Sequence, residues 1–550
     1  MNTPKQHWQI PILALSGGIL MGLTPSPTEA WPLAWIALVP LWFLIASGKS
    51  IYQSAWYGLI WGIGYHSLAL FWITGIHPMD WMGVPWLASI IIALFCWIFI
   101  TLWGAVLVAF WSALIVFIQQ RILTKNKVKE IEKNRLFYVS LLRVLIGVAL
   151  WCGLESVWSN GSLWWTSLSY TQSPHNLVIL HLGQLSGPFT ITAVIVAVNG
   201  LIAEALVSYQ QSREKSNIRA GGTLLVRVSL QIHSWIFSQS FVYLSMAAGL
   251  FIILHLIGFG LYSRPLMETT ETALKVGIIQ GNIPNEIKLY SAGWRRAIEG
   301  YTNGYKTLAA EGVEAVMTPE TALPFVWDEQ VSNRSSFYNA ILDQGVLVWV
   351  GAFGKQGSSF TNSLFTVTGT GETVSQYDKF KLVPLGEYIP FEKFLGRLIN
   401  RLSPLDAHLL AGDPNQIFKT PFGKAIVGIC YESAFSQNFR RQAAAGGEFI
   451  LTASNNAHYS ETMPAQHHAQ DVLRAIETDR WAVRATNTGY SGIVEPHGKT
   501  LWISGINTYE IHAATVYRRQ TQTLYVLWGD WLTPTLLGLG VISWFVFKRL

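Results

Sequence analysis

Cysteine is nearly absent from this chain: 550 residues contain three, and two of them, Cys96 and Cys152, sit inside long apolar runs. A disulfide framework therefore does not organise the fold. Charge is scarce as well, with 13% Asp, Glu, Lys and Arg against 51% hydrophobic residues, where a soluble domain carries about 25% charged. The net charge is +6, but no basic stripe interleaved with aromatics occurs, and the excess lies in short loops between apolar runs. That distribution argues against nucleic acid as a partner. What the chain has in excess is tryptophan, 25 residues of it, and apolar runs that fill Trp8 to Ser263 and return from Thr523 to Phe547. Between them the sequence reads as an ordinary soluble protein, so one membrane domain and one globular domain are expected.

A bilayer core needs about 20 apolar residues per helix. Eight segments qualify or come close: Trp8 to Leu23, Pro32 to Ala46, Ser54 to Thr74, Pro85 to Ile118, Tyr138 to Val157, Asn176 to Val207, Phe237 to Tyr262 and Leu524 to Phe547. The first two are short; the fourth and sixth exceed one span, and the sixth is interrupted at Gly187-Pro188. Lys and Arg accumulate on cytoplasmic loops. Lys5, Lys49, the cluster Arg121, Lys125, Lys127, Lys129, Lys133 and Arg135, then Arg213, Lys215, Arg219 and Arg227, and last Lys548 and Arg549 fall on alternate loops. The loops between them, Thr24 to Trp31, Gly75 to Val84 and Trp158 to His175, contain neither Lys nor Arg. Both termini are expected in the cytoplasm and the globular part outside. A signal peptide ending at Thr28-Glu29-Ala30 is an alternative reading of the first segment and leaves the rest of the topology unchanged.

Two features of the membrane part could bear on chemistry. The outer loop Gly161 to Tyr170, with Trp164 and Trp165, is aromatic and uncharged; it is either an interfacial belt or a substrate-lining element. Glu155 lies near the outer end of the fifth segment, where an acid is costly unless it is paired or faces a cavity.

From Ala273 the pattern becomes α/β. Strands are expected at Leu274 to Gln280, Ala315 to Thr318, Val346 to Gly351, Lys424 to Cys430 and Phe449 to Ala453, and helices at Trp294 to Ala310 and Ala465 to Thr478. Glu320 follows its strand in T-P-E-T-A-L-P, Lys379 stands in Y-D-K-F-K-L-V-P-L-G-E, and Cys430 ends V-G-I-C-Y-E. Taken singly, these are a surface carboxylate, a solvated lysine and a buried thiol. Taken together, they suit thiol attack on a carbonyl: a base for the proton, and a cation with a backbone N–H for the oxyanion.

In order and separation the three motifs resemble the carbon–nitrogen hydrolase, or nitrilase, superfamily over about Leu274 to Tyr517. With seven apolar helices before it and one after, the chain resembles the apolipoprotein N-acyltransferase family, which adds the third acyl chain to bacterial lipoproteins. The resemblance implies a polytopic helical membrane domain of about eight transmembrane helices joined to an αββα sandwich. Residues 1–267 would hold seven helices, 268–523 an extracytoplasmic catalytic domain, and 524–550 the last helix, in a bacterial inner membrane.

It further implies Glu320 as general base, Lys379 as oxyanion cation and Cys430 as nucleophile. Glu387 matches the supporting second glutamate, Tyr431 and Glu432 the residues after the nucleophile, and Trp165 and Glu155 membrane-domain motif positions. Gln280 to Pro284 resembles the opening strand motif. The implied acyl donor is a phospholipid, the acceptor a diacylglyceryl lipoprotein, and the intermediate a Cys thioester, with neither metal nor soluble cofactor. The chain departs from the family at Leu289, where a tryptophan is common, and in the loop Ser454 to Ser460, which includes Ala457, His458 and Tyr459. The alternatives are a membrane-tethered amidase acting on a small soluble amide and a transporter or receptor with an inactive domain.

Overall fold

The structure, a computed structural model, describes residues 4–48, 50–80, 83–123, 133–219, 239–327, 335–384, 386–388, 409–457 and 459–549. Lys49, Lys125, Lys127, Lys129, Arg227 and His458 lie outside the described residues.

Among the described residues the apolar N-terminal half is built of helices joined by loops: α1 (Pro4–Gly22), α2 (Val39–Ser47), α3 (Ile51–Ala69), α4 (Trp86–Leu123), α5 (Lys133–Ser159), α6 (Pro188–Arg219) and α7 (Gln239–Tyr262). Among the described residues four helices, α4 to α7, are long and apolar enough to cross a bilayer. Shorter apolar helices accompany them, including the C-terminal helix Leu532–Arg549. Leu87, Phe95 and Leu256 are 66%, 63% and 64% exposed on the outside of the bundle, a surface suited to lipid and costly in water. Inside it, Arg143 of α5 pairs bidentately with Glu204 of α6, at 2.7 and 2.9 Å. A second acceptor for Arg143 is Gln119 at 2.9 Å, and Trp42 donates to Glu204 at 3.1 Å. Charges at this depth persist because each has a partner.

Two of the expected spans are redrawn. The run from Asn176 forms two single-turn helices, Leu177–Leu180 and Gly183–Ser186, before turning at Gly187 (φ 75°) into α6. Glycine takes the left-handed conformation at little cost, and Pro188, which has no N–H to lose, starts the new helix. The run from Leu524 likewise breaks at Gly529 (φ 69°), between a short helix Leu524–Trp528 and the C-terminal helix. Both short pieces pack under the second half of the chain. Gln184 donates to the Ile476 carbonyl at 3.2 Å and Arg440 to that of Val526 at 2.9 Å. Apolar residues continue past the long helices because they enter a protein core there.

The second half builds two sheets. One has strand order β13-β1-β2-β4-β5-β6, with β3 (Leu323–Val326) also paired to β4. It comprises β1 (Ala273–Gln280), β2 (Ala315–Met317), β4 (Leu347–Gln356), β5 (Ser359–Val367), β6 (Thr373–Asp378) and β13 (Glu510–Tyr517). The other runs β12-β11-β10-β9-β8-β7, from β7 (Phe418–Thr420), β8 (Gly423–Ile429), β9 (Gly447–Ser454) and β10 (Ala482–Thr486) to β11 (Gly492–Val494) and β12 (Thr500–Ile503). Val276, Met317 and Trp349 from the first sheet share a buried core with Val427, Leu451 and Val483 from the second. The other face of the first sheet is covered by α8 (Ser291–Ala310) and α9 (Ser336–Gln344) through Tyr305, Leu308 and Ile341.

Against the second sheet lie α10 (Ser436–Ala444) and α11 (Thr462–Thr478). Residues Gln466 to Thr478 of α11 are all buried, because the helix is sandwiched between β-structure and the loops of the membrane helices. Its core is continuous with that of α2, α5 and α6. The loops that meet this half are ones without Lys or Arg: Gln466 donates to the Ser26 carbonyl at 2.9 Å, and Ser173 to that of Ala469 at 2.6 Å.

Candidate active site

Glu320 and Lys379 leave the first sheet at the same end. β2 is parallel to β4, and β5 and β6 reverse direction twice, so β2 and β6 run alike. The chain can turn at Pro319 to Thr321 because Gly351 lies beneath it: a Cβ there would sit 1.9 Å from the Pro319 carbonyl oxygen. Lys379 Nζ donates to Glu320 Oε1 at 2.9 Å and to Glu387 Oε1 at 3.0 Å. Asn362 Nδ2, from β5, donates to the same two oxygens at 2.7 and 2.9 Å. One ammonium and one amide thus bridge two carboxylates. Glu387 Oε2 in turn accepts the Val383 N–H at 2.8 Å.

Burial alone would raise the Glu320 carboxyl, but the charge and hydrogen bond of Lys379, the charge of Lys288 and the Asn362 amide outweigh it. The group is left below its ordinary value. Burial of Lys379 is likewise outweighed by the charges of Glu320 and Glu387, which hold the ammonium well above its usual range.

Cys430 directly follows β8 with φ 51°, a left-handed conformation unusual for a residue that is not glycine. It opens a 3₁₀ turn, Cys430–Ala434. Its Sγ is 3.9 Å from the Asn455 carbonyl oxygen and the residue is 7% exposed. Burial, and then the charge of Glu320, push the thiol up to about 12, with Lys379 acting the other way. In the resting site a protonated thiol faces an ionised carboxylate and an ammonium.

The residues after Cys430 tie this array together. Glu432 accepts the N–H groups of Phe380 at 2.8 Å and Lys381 at 3.1 Å through one oxygen, and that of Ile429 at 2.8 Å through the other. It is a strut between the lysine segment and the cysteine turn. Burial raises its carboxyl to about 7 in spite of those donors. Tyr431 donates to the Ser162 and Trp164 carbonyls at 2.9 and 2.8 Å, which docks the cysteine turn on the aromatic loop of the membrane half.

Trp165 lies nearly parallel to the Tyr431 ring at 6.1 Å, so the structure brings it beside the cysteine turn. Glu155 is set apart. It is buried below the loop, accepting from Ser167, from Trp151 at 3.0 Å and from Thr192 at 3.3 Å. A small pocket opens beside Trp165, lined by His66, Trp103, Trp158 and Trp164 among others. Of the two departures noted in the sequence, Leu289 caps a single-turn helix behind Glu320. Tyr459 packs edge-on against Trp72 at 4.9 Å.

Comparison with known proteins gives the family. Residues 275–524 match the carbon-nitrogen hydrolase family and residues 17–201 the apolipoprotein N-acyltransferase N-terminal domain. An apolipoprotein N-acyltransferase of Nostoc sp. is 58% identical over 95% of this chain and 97% of its own. The chain belongs to the apolipoprotein N-acyltransferase family. The relative from Synechocystis sp. is 47% identical over 95% of this chain and 98% of its own. One from Pseudomonas aeruginosa is 28% identical over 99% and 97%. Among solved structures, an amidase of Nesterenkonia AN1 aligns with a TM-score of 0.35 at 17% identity, covering 48% of this chain and 96% of that one, a likeness too slight to bear on the fold. The family's function is lipoprotein N-acylation, and its members are membrane enzymes of the acyltransferase class.

Three residues of the site escaped the sequence reading. Asn362 gives no signal, since an asparagine inside a strand has no motif of its own. Lys288, in N-E-I-K after the opening motif, carries no signal of its own. It is buried, its Nζ donates to the Glu320 backbone carbonyl at 3.1 Å, and burial lowers its ammonium to about 8 against the charges of Glu320 and Cys430. Gln466 accepts from Trp165 and Trp72 at 2.8 and 3.1 Å while donating to the Ser26 and Ala69 carbonyls, both at 2.9 Å. Its position on a helix gave no hint that one amide joins the two halves.

Proposed function

We propose that the protein transfers an acyl chain from a membrane phospholipid to the N-terminal amine of diacylglyceryl-cysteine lipoproteins through a thioester on Cys430. In the first step the Cys430 sulfur attacks an ester carbonyl as its proton passes to Glu320. The thiol is held near 12 and Glu320 is held ionised, so the proton moves with the attack rather than before it. Lys379 and the Tyr431 backbone N–H receive the oxyanion. Collapse breaks the ester C–O bond, Glu320 returns the proton to the departing glycerol oxygen, and lysophospholipid leaves. In the second step the lipoprotein amine attacks the thioester and gives a proton to Glu320. The C–S bond breaks, and the proton returns to the sulfur as the amide is released. Glu387 and Asn362 hold Lys379 and Glu320 in register, and Glu432 fixes the spacing between lysine and cysteine.

The observation that carries this reading is where the array lies: its cysteine turn rests on Trp164 and Trp165 of the membrane half, not on a face open to water. Both proposed substrates are held by acyl chains and can enter sideways. We assign eight membrane crossings with both termini cytoplasmic, seven of them in residues 1–267 and the last in 524–550. Residues 268–523 form an extracytoplasmic αββα catalytic domain at a bacterial inner membrane. Incubation with phospholipid and a diacylated lipopeptide tests the function. Triacylated product with no ammonia release from simple amides is expected, and turnover of small amides without acyl transfer would favour a tethered amidase.

A further inference from the structure

The carbonyl of Cys430 is held by a side chain that the mechanism above does not use. His467, on α11, lies 2.8 Å from that carbonyl through Nε2, and its Nδ1 lies 2.8 Å from Arg484 Nη2. A guanidinium can only donate, so Nδ1 is the acceptor and Nε2 carries the proton that the Cys430 carbonyl accepts. Arg484 is itself fixed on β10: its Nε donates to the Tyr490 carbonyl at 3.0 Å, and it pairs with Asp471. Asp471 also accepts from Thr452 of β9 at 3.1 Å. All three ionisable residues are buried. Burial, reinforced by the charge of Arg484, lowers His467 to about 3, so the imidazole stays neutral and in one tautomer.

The carbonyl of residue 430 and the N–H of residue 431 belong to one rigid trans peptide unit and point in opposite directions. Whatever holds the carbonyl aims the N–H. We propose that Asp471, Arg484 and His467 form a positioning relay that turns the Cys430–Tyr431 peptide so that its N–H faces the reacting carbonyl. The need is local. Cys430 sits at φ 51°, where backbone not held in place relaxes towards commoner conformations and the N–H swings with it. His467 is thus a positioning residue for the oxyanion donor, and the inference rests on the acyl-transfer reading of the site.

Substitutions at His467 in the full-length protein, reconstituted in phospholipid vesicles, test it. Gln can accept from Arg484 and donate to the Cys430 carbonyl; Leu fills similar space and can do neither. Two rates are read at Cys430 by mass spectrometry: acyl-adduct formation from phospholipid, and alkylation by iodoacetamide, a substitution at a tetrahedral carbon that builds no oxyanion. His467→Leu should slow acylation about 10–100-fold, less than the 10²–10³ of losing an oxyanion donor outright. It should leave the half-saturating phospholipid concentration and the alkylation rate within about threefold of wild type. His467→Gln should recover most of the acylation.

Wild-type acylation in the Leu variant, a parallel fall in alkylation, or failure of Gln to restore the rate would overturn the relay. Should the Leu variant not fold, the Gln variant decides by the same criterion. A wild-type protein that is alkylated at Cys430 yet never acylated would instead sink the acyl-transfer reading, and the relay with it.

Discussion

Asn362→Leu separates chemistry from architecture at this site. The amide donates one hydrogen bond to Glu320 at 2.7 Å and one to Glu387 at 2.9 Å, and leucine is close to it in size. A hydrogen bond to a charged group contributes about 1.5–3 kcal/mol. The bond to Glu320 stabilises only the ionised form, so its loss raises that carboxyl. At 1.36 kcal/mol per unit the rise is about one to two pH units. The direction follows from the resting site. Glu320 is held below its ordinary value, so the base is available above that lowered value and activity is lost as pH falls through it. In the variant the acidic limb of the pH–rate profile for acyl-adduct formation should move up by about one to two units. At neutral pH and above, the loss should be no more than about tenfold, because Lys379 still orders both carboxylates. The assay is the rate of adduct formation on Cys430 between pH 4 and pH 9 in vesicles. A uniform loss at every pH, with the limb unmoved, would mean that Asn362 only fills space and that Glu320 is not the base.

Lys288→Met should move the same limb upward, because the Lys288 charge also lowers Glu320; an unmoved limb in that variant would remove Lys288 from the site's electrostatics. Glu432→Gln sets an amide N–H against one of the three backbone N–H groups that Glu432 accepts. It should destabilise the protein by about 1–3 kcal/mol and slow acylation, and a variant with wild-type melting temperature and rate would refute the strut. Trp165→Phe loses the bond to Gln466 but keeps a ring near Tyr431, and should slow transfer by about tenfold or less; unchanged kinetics would make that loop a passive belt. In a chain without its own three cysteines, Asn160→Cys should react with a membrane-impermeant thiol reagent in intact cells. Lys215→Cys should react only once the membrane is opened, and the reverse pattern would invert the topology.

The positions of chemical residues at strand ends were legible because strands there are short apolar runs closed by turn residues, and Ala315 to Thr318 and Lys424 to Cys430 needed only those signals. Glu320 and Cys430 became candidates in this way, whereas Lys379 was singled out by its motif and by the family resemblance; in the structure Lys379 donates to Glu320, and the charges of both act on the buried Cys430 thiol. The strands β5 and β6 were not legible. β5, an inner strand, carries buried Thr361, Asn362, Ser363 and Thr366, and the edge strand β6 carries exposed Thr373 and Gln376, so that pairing across the sheet rather than local pattern makes them strands. The break at Gly187-Pro188 was legible from the glycine and proline, but the last run was misjudged at Gly529, since hydropathy cannot tell lipid from the protein core that α11 shares with α2, α5 and α6. Asn362, Lys288 and His467 were out of reach for a related reason. Their roles come from contacts with residues 32 or more positions away, and no spacing rule encodes those.

The most direct test of the account is the mass of the intact protein after brief incubation with a phospholipid of defined acyl chains and no acceptor. The mass should rise by one acyl group, mapped by fragmentation to Cys430, with release of lysophospholipid, and a diacylated lipopeptide should then discharge the adduct as triacylated product. Cys430→Ala should carry no adduct, whereas Cys96→Ala and Cys152→Ala should behave as wild type. An acyl group found on any other residue, or transfer that survives Cys430→Ala, would contradict it.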